Sequence, residues 1–267
     1  MIDLFRSRRR ERLRALPFPA EWERIVERNV SAYSRLSQED QRELLGHTQV
    51  LLAEKHFEGC GGLELTDEIR VTVAAQASIL LLHRETDYYP RLTSILIYPS
   101  AYVVREEQPI GEGIWEEGED VRLGHTAPQL GALVVAWDDV LRGARTFDDA
   151  DNVVFHEFAH QLDFEDRAVD GTPLLESRQY ASWARVLGAE YEALRQAATD
   201  ATPTLIDQYG ATNPAEFFAV VTELFFERPK ALRDRHPALY EELRAFYQQD
   251  PAGWLGGEHS EPLRNDR

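Results

Sequence analysis

The sequence predicts an α+β protein. Strand-like runs, TSILIY at 93–98, Tyr102–Val104 and ALVVAW at 132–137, cluster ahead of one strongly apolar helix, and helical periodicity dominates after it. Strands and helices grouped in this way do not build a doubly wound sheet. A length of 267 residues with 43% hydrophobic content fits a soluble globular chain of one large domain, or of a main domain with a smaller helical partner.

The elements follow in order. Trp22, Ile25, Val26, Val30 and Tyr33 repeat at helical spacing. Ser37 then reads as an N-cap, with Asp40 three residues on, before Leu44, Leu45, Thr48, Leu51 and Leu52. Two amphipathic helices are therefore expected to open the fold. Gly59, Gly61 and Gly62 form a turn-rich break, and Ile69–Leu82 reads as an alanine-rich helix. Between the second and third strand runs, Glu106–Gln129 is rich in glycine and acid, which suggests a long surface loop or loose hairpin. An apolar helix is expected at about Asp149–Asp163, then a loop through Gly171-Thr172-Pro173. Further helices are expected at about Glu176–Ala198, Pro214–Glu227 and Pro237–Gln248.

Composition excludes several functions. The longest apolar run, Ala74–Leu82, is interrupted by Gln76 and Ser78 and is far short of the ~20 residues a membrane span needs. The single cysteine, Cys60, rules out an internal disulfide framework, and Met1–Leu16 lacks the apolar core of a secretory signal. Both point to a cytoplasmic protein. With 47 acidic against 29 basic residues and a net charge of −18, no duplex nucleic acid partner is expected. Residues 1–15, including Arg6-Ser7-Arg8-Arg9-Arg10-Glu11-Arg12, are expected to be a flexible basic arm, and residues 255–267 a flexible tail.

The chemistry lies in the apolar helix. Val154-Phe155-His156-Glu157-Phe158-Ala159-His160 is an HExxH arrangement, and at 3.6 residues per turn the two imidazoles lie about 40° apart around the axis, able to reach one ion. Glu157 lies about 100° from His156, beside such an ion rather than on it, where it can take a proton from metal-activated water. Val153, Val154, Phe155, Phe158, Ala159 and Leu162 make the surroundings apolar, and a buried His-Glu-His with no task would be costly. The expected cofactor is one zinc ion per chain.

A catalytic zinc site needs a third protein ligand. Downstream, Asn213-Pro214-Ala215-Glu216 leads an apolar helix that carries a second acid, Glu223, seven residues later and on nearly the same face. Glu216 reads either as the ligand or as the N3 carboxylate of a capping box whose N-cap is Asn213. Glu223 reads as ligand or as acceptor for a ligand imidazole N–H. Asp163, three residues past His160, is poorly placed to close a tetrahedron and reads as an acid that orients a ligand or caps a neighbouring group, or as a plain helix-end acid. Tyr209, before Gly210, is either a packing tyrosine or a phenol that donates to an oxyanion. His47, His56, His83, His125, His236 and His259 have no partner at ligand spacing and are expected at the surface or at helix ends.

HEFAHQLD at 156–163, the Tyr209-to-Glu216 spacing into PAEFFAVVTELFFERP, ILIYPS at 95–100, VVAWDD and FYQQDP at 246–251 together resemble the Mlc titration factor A family. The resemblance spans about Leu16 to Trp254. It implies a gluzincin-type, zincin-like fold similar to the catalytic part of anthrax lethal factor, with a small mixed sheet, an HExxH helix and a helical C-terminal part. The implied layout is a single peptidase domain over 16–254, mostly helical over 16–90 and catalytic over 91–254. It implies zinc held by His156, His160 and Glu216, with Glu157 as base and Tyr209 as electrophilic helper. It also implies a cytoplasmic, aminopeptidase-like enzyme acting on a peptide or protein, linked to sugar uptake by binding a Mlc-like repressor. By analogy, a strand such as Leu133–Ala136 would pair with an extended substrate. The alternative is a non-catalytic protein that sequesters a regulator around a structural zinc.

Overall fold

The computed structural model describes residues 2–100, 102–111, 114–122, 124–127, 131–146 and 148–254, with side chains described over 5–100, 131–146 and 148–254. Helices α1 (Ile2–Ala15), α2 (Ala20–Asn29), α3 (Gln38–Glu54) and α4 (Asp67–Ile79) form the N-terminal part. Ser37 Oγ accepts from Asp40 N, the cap its sequence suggested, and Thr66 caps α4 in the same way. Strand β1 (His56–Gly59) lies between α3 and α4, and β2 (Ser94–Tyr98), β3 (Tyr102–Gly111), β4 (Ile114–Arg122), β5 (Gly124–Ala127) and β6 (Ala132–Ala136) follow. The glycine- and acid-rich stretch is thus a hairpin, β3 against β4, continued into β5.

The main sheet has the order β1-β2-β6-β5. The first three strands are parallel, with Phe57 opposite Ile95 and Ile95 opposite Leu133, while β5 runs antiparallel to β6. Ile95, Ile97, Leu133 and Val135 are buried on one face, whereas Ser94, Leu96 and Tyr98 are only partly covered. Strand β6 therefore has both edges occupied, so the expectation that Leu133–Ala136 offers a free edge is corrected: β5 stands at that end of the sheet.

The chain continues with α5 (Trp137–Arg145), α6 (Val153–Asp163), α7 (Tyr180–Thr199), α8 (Pro214–Glu227), α9 (Pro229–Arg235), α10 (Pro237–Tyr247) and α11 (Pro251–Trp254). Helix α8 is apolar around nearly its whole circumference and buried from Phe217 to Glu227, as a helix with no wet face must be. It packs on α6 through Phe226 against Phe155, with ring centroids 5.3 Å apart, while Phe158 meets Tyr89 at 4.7 Å. Each fully buried phenylalanine stabilises the fold by roughly 1.5–3 kcal/mol. A dry aromatic layer thus fixes where α6 lies against α8.

Two expectations are corrected by charge pairing. The basic stretch expected to be a solvated arm forms α1, because Arg10 is only 7% exposed and binds Glu54 with two nitrogens, Nε at 3.0 Å and Nη2 at 2.9 Å. Its guanidinium also lies over the Tyr88 ring, 4.7 Å from the centroid. His47, expected at a surface or helix end, is buried in the middle of α3 between Tyr88 Oη at 2.7 Å and Glu43 at 3.2 Å. His259 lies outside the described residues, and of the side chain of His125 nothing is described.

Candidate active site

The site begins with how α6 starts. Asn152 is its N-cap, and Asn152 Oδ1 accepts from Val154 N and Phe155 N at 3.1 Å each. One turn in, His156 and His160 face the first turn of α8, their rings 4.9 Å apart and nearly perpendicular. Glu157 is 4% exposed on the same helix.

The two readings of Glu216 belong to different atoms. Its backbone N–H donates to Asn213 Oδ1 at 2.9 Å, so the helix is capped as the sequence suggested. Its carboxylate meets His156 Nε2 at 3.0 Å and His160 Nε2 at 3.4 Å. The two Nε2 atoms are themselves 3.3 Å apart. Three donor atoms spaced in this way match the edges of a tetrahedron with metal bonds of about 2.0–2.1 Å.

Glu223 stands behind His156. Its Oε1 lies 2.8 Å from His156 Nδ1, and its Oε2 accepts from Asn152 N at 2.6 Å. An ionised Glu223 would accept from His156 Nδ1–H, the arrangement that frees Nε2 for a metal once the ion displaces the proton shared with Glu216. Burial opposes charge on His156, but hydrogen bonds to Glu216 and Glu223 carry its pKa well above the ordinary imidazole value. Burial pushes Glu216 up, but the two imidazoles carry it far below the carboxylate range. For Glu223 burial prevails and the pKa rises. Two imidazole lone pairs and a carboxylate oxygen converging on one point need a cation or a proton between them, so the donor set fits a divalent metal.

The other expected residues fall into two groups. The Tyr209 ring lies 6.0 Å from that of His156 and is 55% exposed. It rides on a 3-10 turn, Gln208–Ala211, capped by Asp207, and Gly210 packs between α7 and α8, where a Cβ would meet Leu194 Cδ2 at 3.2 Å. Asp163 does not hydrogen-bond to His160: Asp163 Oδ1 and His160 Nδ1 are both buried without partners among the described residues. Asp163 Oδ2 instead accepts from Gly171 N at 2.9 Å, and burial pushes the carboxyl up to about 6. That contact ties the loop after α6 to the start of α8, because Gly171 lies so close to Pro214 that a Cβ would meet its carbonyl oxygen at 2.3 Å.

Sequence reasoning missed Asn152, whose position just ahead of the apolar helix was the available signal, and also Gln76 and Glu227, which nothing in local sequence connects to the site. A second trio, Asp40, Glu43 and His83, also brings potential ligand atoms within 4.8 Å of one another. There a single imidazole spends one nitrogen on each carboxylate, at 3.1 and 3.5 Å, which is an ion-paired clamp between α3 and the turn after α4.

An HExxH helix whose imidazoles meet a carboxylate from a second helix is the donor set of a metallopeptidase-like protein. The pattern of one family, described as glucose-regulated metallo-peptidase M90, matches residues 5–248, and the chain belongs to that family. It is similar to the Uncharacterized protein slr2042 of Synechocystis sp., at 41% identity over 244 residues covering 91% of this chain and 89% of the relative. It is also similar to Mlc titration factor A of Yersinia pestis and of Yersinia pseudotuberculosis, at 30% identity over 240 residues covering 88% of this chain and 87% of each relative. Membership implies a divalent metal and peptide substrates. No helix among the described residues is long and apolar enough to cross a membrane.

Proposed function

We propose that this chain is a single-zinc peptidase in which His156, His160 and Glu216 hold the ion. The observation that carries the reading is the convergence of His156 Nε2, His160 Nε2 and Glu216 Oε2 at mutual distances of 3.0, 3.3 and 3.4 Å. Zinc bound by these three residues would supply the Lewis acidity that makes water a nucleophile near neutral pH and polarises a carbonyl. Glu157, next to His156 and beside the donor trio, takes the proton of the attacking water and passes it to the leaving amine. Tyr209 donates its phenolic hydrogen to the developing oxyanion. Glu223 accepts from Nδ1 of His156 and keeps its Nε2 aimed at the trio.

Aminopeptidase-like action, a cytoplasmic location and a Mlc-like repressor as binding partner belong to the same proposal. The name Mlc titration factor A carried by the Yersinia relatives supports the partner. Metal analysis together with a panel of peptide and aminoacyl chromogenic substrates tests the reading. One zinc per chain and cleavage abolished by chelator, then restored by zinc, is the expected result. A complex with a repressor that survives metal removal, without cleavage of any substrate, would favour the sequestering protein instead.

A further inference from the structure

The start of the active-site helix is held by one residue whose hydrogen-bonding capacity is filled. Asn152 is 2% exposed. Its Oδ1 accepts from two amides of α6, and the two hydrogens of its Nδ2 are shared among three acceptors, Gln76 Oε1 on α4 at 3.1 Å, Gly143 O on α5 at 3.2 Å and Glu227 Oε1 on α8 at 3.0 Å. Its backbone N–H binds Glu223 Oε2 at 2.6 Å, and its carbonyl accepts from His156 N at 3.0 Å.

We propose that Asn152 is a positioning residue for the metal centre, controlling the direction of His156 Nε2 from both ends. This role rests on His156, His160 and Glu216 being the ligands, as proposed above. Glu223 Oε1 grips the imidazole, and the other oxygen of the same carboxylate is held by the Asn152 amide, so the tilt of the carboxylate is set by where the Asn152 backbone lies. That backbone is located by a side chain tied to three other helices. An N-cap alone would be served equally by Asp or Ser, whereas only the Asn amide also brings two N–H donors to a cluster of buried acceptors on three other helices. Gly143 adds an independent sign of the same constraint. A Cβ there would lie 3.0 Å from Asn152 Cα and 3.1 Å from its Cγ, so α5 carries a poor helix former where it must approach Asn152 closely.

The test compares Asn152→Asp, Asn152→Ser and Gly143→Ala with the wild type. Zinc affinity is measured by competition with a chromophoric chelator, the visible spectrum is recorded with Co2+ in place of zinc, and the thermal midpoint is taken on the metal-free protein. Asn152→Asp keeps the cap acceptor while removing the donors, and is expected to weaken zinc binding about 10–100-fold and to shift the cobalt bands. Gly143→Ala, which changes no hydrogen-bonding atom, is expected to act in the same direction by a smaller factor. Should Asn152→Asp fail to fold, the uncharged Asn152→Ser and Gly143→Ala decide the question. Affinities and cobalt spectra equal to wild type, even with a lowered metal-free midpoint, would reduce Asn152 to a helix cap. A wild-type protein that binds neither metal would instead overturn the ligand reading itself.

Discussion

Glu223 Oε1 lies 2.8 Å from Nδ1 of His156, a residue 67 positions earlier in the chain, while the second oxygen of the same carboxylate takes the N–H of Asn152. The contact joins α6 to α8 where both side chains are largely buried, 16% and 8% exposed, so little water is at hand to replace a lost partner. In Glu223→Gln one of these two N–H donors must face an amide NH2. Zinc affinity in that variant is expected to fall about 10–100-fold, read by chelator competition, with the fold retained. Unchanged affinity would remove Glu223 from the support of the site.

Glu157→Gln keeps the shape of the side chain and leaves His156, His160 and Glu216 in place. Zinc content is expected to stay at one per chain, while kcat against a cleaved peptide falls by about 10²–10⁴, the usual contribution of a positioned general base. A variant that still turns over at the wild-type rate would require another base.

Tyr209 is exposed beside the His156 ring and contributes little to the core, so Tyr209→Phe is expected to leave the thermal midpoint and metal content intact. If the phenol stabilises an oxyanion, kcat falls about 10²–10³-fold with KM nearly unchanged. A rise in KM alone would make it a substrate-binding residue.

Burial, with Asp149 and Glu223 nearby, pushes the Glu227 carboxyl up to about 9 from an ordinary value of 4.5. The folded state therefore keeps a proton that the unfolded chain loses, and stability from this group falls as pH rises from about 4.5 to about 9, then levels off. Glu227→Gln mimics the protonated form. Its thermal midpoint is expected to gain on the wild type progressively across that window and to run parallel to it above pH 9. A constant difference at all pH values would show that Glu227 titrates normally.

Arg10 anchors α1 to Glu54, a carboxylate with little exposure of its own. Arg10→Ala is expected to destabilise the protein by about 1.5–3 kcal/mol, the range for hydrogen bonds to charged groups, and to open the Arg-rich helix to trypsin ahead of global unfolding. Unaltered tryptic resistance would mean that α1 is held by other contacts.

Much of the centre was legible in the linear chain because it depends on local geometry. A four-residue spacing on a helix puts two imidazoles on one face whatever surrounds them, and the caps at Ser37 and Asn213 act within three residues. The apolar circumference of α8 likewise announced a buried helix. Short elements escaped for the opposite reason. Strand β1 is four residues long and owes its pairing to β2, and α5 begins at Trp137, where the apolar run of β6 gave no sign of ending. Charge pattern misled at α1, since an arginine run looks solvated until Glu54 and Asp87 are brought against it.

Residue types and spacing were enough to nominate the two histidines, the acid between them and a pair of downstream acids. That Glu216 lies against Nε2 of both imidazoles and Glu223 against Nδ1 of His156 depends on the packing of α8 on α6, because two carboxylates seven residues apart share a face and differ only in depth. Tertiary structure likewise turned Asp163 to the Gly171 amide and made Asn152 the junction of four helices. Contacts of that kind join residues far apart in the chain, and no local periodicity encodes them.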